Sequence, residues 1–306
     1  MSTHPVIRTA ALVALLAACP TRDAAAIDST EERRVLAGHP FIPVTSFEQP
    51  FLTRRYSMQT GLGLSLADIP GRSETFRLVS FGFGFDTQQP LWRMLALRVA
   101  AGGSVILGAG IDEALDFGAT GLYRAGGGLV VNAFQNDRFS LTLALDVSGG
   151  QDFSVTPRPA IEASIQAREV STDGLFAKTT SLDVIPELTA AVGLFKAMGL
   201  FALFGYDFER SHTDGFDPES GHYLQFGAGL STNFAPYEVP LGVTASYKRS
   251  QPVGGAALGL HQVQFGLHVS HEHFAFGLEA IGRFVKTDEN VTINTWLAML
   301  SMHYIH

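Results

Sequence analysis

Cysteine occurs once in the 306 residues, at Cys19, so the chain can form no internal disulfide and no multi-cysteine metal site. Charge is sparse as well, at 16% of residues, against about 25% in an ordinary soluble domain. Basic residues are the scarcer sign, 21 against 29 acidic for a net charge of −8, which argues against a nucleic-acid-binding surface. Long apolar runs are missing too: past the N-terminus none approaches the ~20 residues a spanning helix needs. Yet hydrophobic residues make up 46% of the chain, too many for a disordered one. What is present in excess is glycine, 32 residues, and phenylalanine, 23. Apolar content that is spread out rather than blocked points to strands.

Residues 1–26 read as an export signal, with one positive charge at Arg8 and an apolar stretch Ala10–Ala18 too short to span a bilayer. Two processing sites are open. Leu16-Ala17-Ala18-Cys19 resembles a bacterial lipobox, in which Cys19 would be lipidated; Ala24-Ala25-Ala26 resembles an ordinary signal-peptidase site and is preferred. Either takes the chain out of the cytoplasm. Residues 27–54 follow as a periplasmic segment or a plug. The stretch 27–50 is polar at Asp28–Arg34 and interrupted by Pro40, Pro43 and Pro50, and the linker reading is preferred.

From about residue 55 to 306 one pattern recurs: roughly ten residues of apolar/small-polar alternation, then a turn cluster. Val79, Phe81, Phe83 and Phe85 alternate with Ser80, Gly82 and Gly84; Val263, Phe265, Leu267 and Val269 alternate with Gln264, Gly266 and His268. Successive strand side chains point to opposite faces, so each segment has one oily and one polar or tiny face. A soluble sandwich would carry Lys, Glu and Arg outside; here the second face is mostly Gly, Ser, Thr, Ala and Gln. That suits lipid outside and a lumen inside.

The expected fold is all-β, a transmembrane antiparallel up-and-down barrel of about 12 strands. These fall near 55–66, 76–86, 92–105, 117–133, 139–150, 184–195, 200–210, 221–233, 241–250, 261–270, 274–286 and 291–304. Connections alternate between a short class (87–91, 134–138, 196–199, 234–240, 271–273) and a longer one (67–75, 106–116, 151–183, 211–220, 251–260), with 287–290 a short exception. Short periplasmic turns and longer external loops are the usual asymmetry of such barrels. Aromatics flank the short class: Phe85 and Trp92, Phe134 and Phe139, Phe195 and Phe201, Phe234 and Tyr237, then Phe274. Rings of this kind form girdles at the membrane boundary.

On these features the chain resembles the bacterial outer-membrane β-barrel class, porin-like, over residues 55–306. The resemblance implies outer-membrane lipid and the assembly machinery as partners. Trp296, Ala298, Leu300, Met302 and Tyr304 supply the alternating final strand such barrels commonly have, although the last residue is His306 rather than Phe or Trp.

A lumen of about twelve strands can be a narrow pore, a ligand cavity or a plugged interior. The inward charged set is Arg98, Arg124, Asp146, Glu187, Asp207, Glu209, Lys248, His268 and Glu279. Mixed signs leave selectivity open, and Arg–carboxylate pairs could equally close the lumen. The long loop 151–183 carries a possible short helix over Ala160–Val170. A hairpin turn near 287–290 makes opposed residue numbers sum to about 577, setting His303 opposite Phe274 and gathering His271, His273 and His306 as possible metal ligands. His268 and Ser270, two apart on one face, resemble the His-x-Ser of some outer-membrane lipid deacylases, but no positioned acid accompanies them. No catalytic residue and no cofactor is assigned. The reading is a pore or solute-binding channel for small polar molecules, with a non-conducting interaction barrel or a lipid-modifying enzyme as the alternatives.

Overall fold

The computed structural model describes residues 34–45, 47, 50–69, 75–167, 175–255, 259–271, 273–286 and 292–305. The export signal with Cys19, residues Glu272 and His306, and the side chain of His271 lie outside the described residues.

Twelve long strands form the body: Arg55–Asp68 (β1), Phe76–Trp92 (β2), Leu95–Gly108 (β3), Ala119–Gln135 (β4), Phe139–Val155 (β5), Phe176–Phe195 (β6), Met198–Thr213 (β7), Glu219–Asn233 (β8), Leu241–Gly255 (β9), Gly259–His271 (β10), Phe274–Lys286 (β11) and Thr292–Ile305 (β12). Each pairs antiparallel with its successor, and β12 returns to β1 from Thr292↔Asp68 to Ile305↔Arg55. Closure leaves no strand edge to be satisfied by solvent. The strands run from 13 to 20 residues, more than the roughly 9–11 that cross a bilayer, so they continue beyond its hydrocarbon layer.

Alternation decides the two faces. Leu62, Phe83, Phe265 and Leu300 point outward and are 60–63% exposed, while Ser80, Ser231, Thr244 and Gln264 point inward and are buried. Three of the short turns are reached through a register shift in the ladder, at Pro90/Trp92, Asn132/Phe134 and Gly193/Phe195. Such bulges add twist where a strand ends.

Several expectations need correction. Strand β6 starts at Phe176, not 184; its run Lys178–Ser181 is polar and Pro186 interrupts the alternation, so this stretch imitates a loop in the sequence. Pro186 has no N–H to give, and the β6–β7 ladder passes from Val184↔Phe208 to Glu187↔Gly205 with no pair between. The last hairpin is one residue out of the expected register: Phe274 faces Tyr304 and Ala275 faces His303. A one-residue slip exchanges faces, so His303 turns inward and is buried while Phe274 stays outside. Phe201, assigned to the girdle, also points inward and is 2% exposed. Strand β2 runs on to Trp92, which leaves Phe85 within the span rather than at its end. A cluster of Tyr56, Phe274 and Tyr304 occupies the short-turn end instead, with ring centroids 5.0–6.2 Å apart.

Two helices cap the long-loop end. Ile111–Asp116 (α1) lies in a stretch expected to be loop, and Pro157–Ala167 (α2) begins three residues before the helix expected there. An Arg158–Asp116 ion pair of 2.5 Å ties them together.

Candidate functional site in the barrel lumen

The described residues of 34–53 lie inside the short-turn end of the barrel. Val35–Leu36 and His39–Pro40 form a tiny strand pair, and Leu36, Phe41, Val44, Phe47 and Phe51 pack with the wall residues Ala191, Phe201 and Leu203. The Phe47 and Phe201 rings meet edge to face at 4.6 Å. A second contact joins Leu52 to Ala96 of β3 and Val130 of β4, three strands farther round the wall. Polar groups of the wall satisfy the segment's backbone, as burial demands. Gln88 Nε2 donates to the carbonyls of Phe51 (2.6 Å) and Thr53 (3.1 Å), Ser140 Oγ to Pro50 (2.6 Å) and Asn233 Nδ2 to Pro40 (3.0 Å). His39 Nε2 and Ser231 Oγ lie 3.1 Å apart. These contacts hold the described residues of the segment against the inner wall.

Above it the lumen holds a cavity of about 430 Å³ with Pro43, Val44 and Thr45 in its floor and Arg55, Arg98, Arg124, Asp146, Glu187 and Lys248 among its walls. A second cavity of about 460 Å³ adjoins it, sharing Gln225 and Lys248 and lined also by Asp207, Glu209, Tyr223, Gln262 and Arg283. Three arginines on one side are tied to aspartates. Arg55 Nη2 reaches Asp86 Oδ2 at 2.6 Å, Arg124 Nη1 reaches Asp183 Oδ2 at 3.4 Å, and Arg98 binds both oxygens of Asp146. The last pair bridges two strands, β3 and β5, across Gly128 of β4. A Cβ at Gly128 would collide with the Asp146 carboxylate, so the glycine run of β4 is what allows this pair to form.

The other side holds hydrogen-bonded carboxylates with fewer cations. Gln225 Nε2 donates to Asp207 at 2.9 Å, Tyr223 Oη to Glu209 at 3.3 Å, and Arg283 Nε to Gln262 at 2.9 Å. Lys248 has no carboxylate within ion-pair distance among the described residues. Lower on the wall, Glu279 accepts from Ser301 Oγ at 2.7 Å and from Gln264, and is 1% exposed. His303 Nδ1 lies 2.9 Å from Ser57 Oγ.

All nine charged or histidine positions proposed for the lumen from the sequence face inward here: seven line the cavities, and His268 and Glu279 are buried in the wall. The sequence reading missed Arg55, Asp86, Asp183 and Arg283. Arg283 shares the parity of Glu279 and was legible; Asp183 was hidden in the supposed loop. His268 Nε2 faces Thr244 Oγ1 at 3.0 Å, and no hydrogen bond joins it to Ser270 among the described residues. Of the three possible metal ligands, His271 and His306 cannot be placed, and no group of three ligating side chains occurs among the described residues.

No protein-family model and no curated protein matches the chain. Among solved structures it is similar to the translocator domain of the autotransporter NalP from Neisseria meningitidis, at 10% identity over 82% of this chain and 88% of that one, with a TM-score of 0.50. The β domain of the Bordetella autotransporter Brka gives the same identity and score over 82% and 98%. This is the fold of a bacterial outer-membrane β-barrel. A Pseudomonas aeruginosa FadL homologue is also similar, at 10% identity over 90% of this chain and 98% of that one, with a TM-score of 0.49. In an outer-membrane barrel the outward phenylalanines and leucines are solvated by acyl chains, which accounts for an apolar belt far larger than water tolerates.

Proposed function

We propose that the protein is a channel of the bacterial outer membrane for small polar solutes, with cations preferred, and that residues 34–53 are its plug. The observation carrying this reading is a charged lumen that ends on a separate chain segment rather than on wall side chains. Among the described residues the plug joins the barrel covalently at β1 and is otherwise held by packing, by wall side-chain hydrogen bonds and by one backbone bond, from Ala37 N–H to the Asp137 carbonyl at 2.5 Å. Its removal would join the cavities to the short-turn end. Selectivity follows from what remains after the arginines are paired: Asp152, Asp207, Glu209 and Glu279 face the lumen against Lys248 and Arg283. A wall with excess carboxylate raises the local concentration of cations.

Planar-bilayer recording of the full chain beside a form lacking residues 34–53 tests this. The full chain should give rare, small openings and the shortened form steady ones, with a reversal potential in a KCl gradient that favours K⁺. A correctly folded shortened form that stays silent would defeat the channel reading. It would favour a closed, non-conducting barrel, for which the apolar packing of Phe41, Phe47 and Phe51 is the supporting observation.

A further inference from the structure

The outward face of the barrel segregates its charges by sign and by height. Every carboxylate in the twelve strands points into the lumen except Asp68 at the end of β1, among the described residues. The strand cations divide between the two faces: Arg55, Arg98, Arg124, Lys248 and Arg283 face the lumen, and the other five face outward. Arg77 of β2, Lys178 of β6, Arg210 of β7, Arg249 of β9 and Lys286 of β11 all occupy outward positions in the half of their strands nearer the long loops. None of the five has a carboxylate within ion-pair distance among the described residues.

These side chains are held against the wall. The Arg249 guanidinium lies over the outward Phe226 ring at 5.8 Å and the Lys178 ammonium over Phe153 at 5.9 Å, contacts that leave the charge free to meet an anion. Arg249 Nε is buried and has no hydrogen-bond partner among the described residues. Arg249 sits opposite His261, whose Nδ1 is 2.8 Å from Tyr247 Oη. On β8, beside Arg210, His222 Nδ1 is 2.6 Å from Tyr206 Oη. The result is a band of cations and imidazoles across β6–β11, set on aromatic rings at the upper margin of the apolar belt.

An unpaired cation at the edge of hydrocarbon is unfavourable unless an anion of the headgroup layer meets it. We propose that this band is a docking surface for a phosphorylated glycolipid of the outer leaflet, whose acyl chains lie along the phenylalanines below while its phosphates reach Arg210, Arg249 and Lys178. The proposal rests on the lipid-facing reading of the outer wall and does not depend on whether the lumen conducts.

The test is titration of the purified full chain in uncharged detergent with bisphosphorylated lipid A, followed by native mass spectrometry, against the same lipid with its phosphates removed. Heat-modifiable gel migration verifies that each variant is folded. The phosphorylated form should bind more tightly, and Arg210→Gln with Arg249→Gln should weaken it about 25-fold, at roughly fivefold per cation. Arg54→Gln with Arg138→Gln removes the same charge at the opposite rim and should leave binding unchanged. Equal binding of the dephosphorylated lipid, or equal loss in the two double variants, would overturn the proposal. A silent bilayer recording with intact lipid binding would remove the channel alone.

Discussion

Acid should loosen the plug through His39. Its ring is fully buried between Ser231 of β8 and the Phe41 ring, 4.6 Å away, and burial lowers its pKa from 6.5 to about 4, partly offset by the Lys196 backbone. Lys196 is the cation beside it, its side chain packed on Gly38. Because the docked pKa is depressed, the neutral ring is the form that docks. Docking is therefore undiminished above pH 6.5, weakens as pH falls through 6.5 when the released segment takes up a proton, and levels off near pH 4 when the docked ring also protonates. Between pH 7 and pH 5 the two pKa values make docking about twentyfold weaker, or ~1.8 kcal/mol. Hydrogen–deuterium exchange of residues 34–53, corrected for the intrinsic pH dependence of exchange, measures this directly. His39→Gln, which can still bond Ser231, should abolish the pH dependence. Protection that is the same at pH 7 and pH 5, or that falls equally in His39→Gln, would refute the reasoning.

Asp146→Asn leaves the Arg98 guanidinium largely buried without its counter-charge and should lower stability by about 2–3 kcal/mol, read as a drop in the heat-modifiability midpoint. Gly128→Val should do the same at one remove, because its side chain would fill the gap through which that pair passes. Gly199→Ala and Gly242→Ala crowd Phe41 and Ile42 and should raise channel open probability severalfold without altering the folded fraction of the barrel. The register of the last hairpin is checked by oxidation of paired cysteines: Phe276→Cys with Met302→Cys should crosslink, whereas Phe276→Cys with Ser301→Cys, on opposite faces, should not.

The barrel was legible because a period of two is hard to disguise. Once Phe81, Phe83 and Phe85 are placed outside, the parity of every neighbour follows, and the same rule carried Asp207, Glu209 and Glu279 into the lumen. Parity says nothing of height or partner. It could not tell that Arg98 reaches past Gly128 to Asp146, since that depends on an absent side chain on the strand between them. It also failed where the polar start of β6 and Pro186 imitate a loop, and where one extra residue in the final turn moved His303 to the inner face.

The plug was illegible for a different reason. Leu36, Phe41, Ile42, Phe47 and Phe51 follow neither a strand nor a helix period, because the segment has almost no regular structure and is shaped by the surface it meets. Its imprint is on the wall instead. Gly193, Gly199 and Gly242 are inward positions at the short-turn end and Gly227 is one at mid-strand beside Lys248, and a Cβ at each would run into Leu36, Phe41, Ile42 and Phe47 respectively. Farther up, the inward positions carry Arg98, Glu187, Asp207 and Lys248 around open cavity. Inward glycine where apolar side chains must fit, and inward charge where water must stay, are two halves of one design: a wet lumen standing on an oily floor that is not part of the wall.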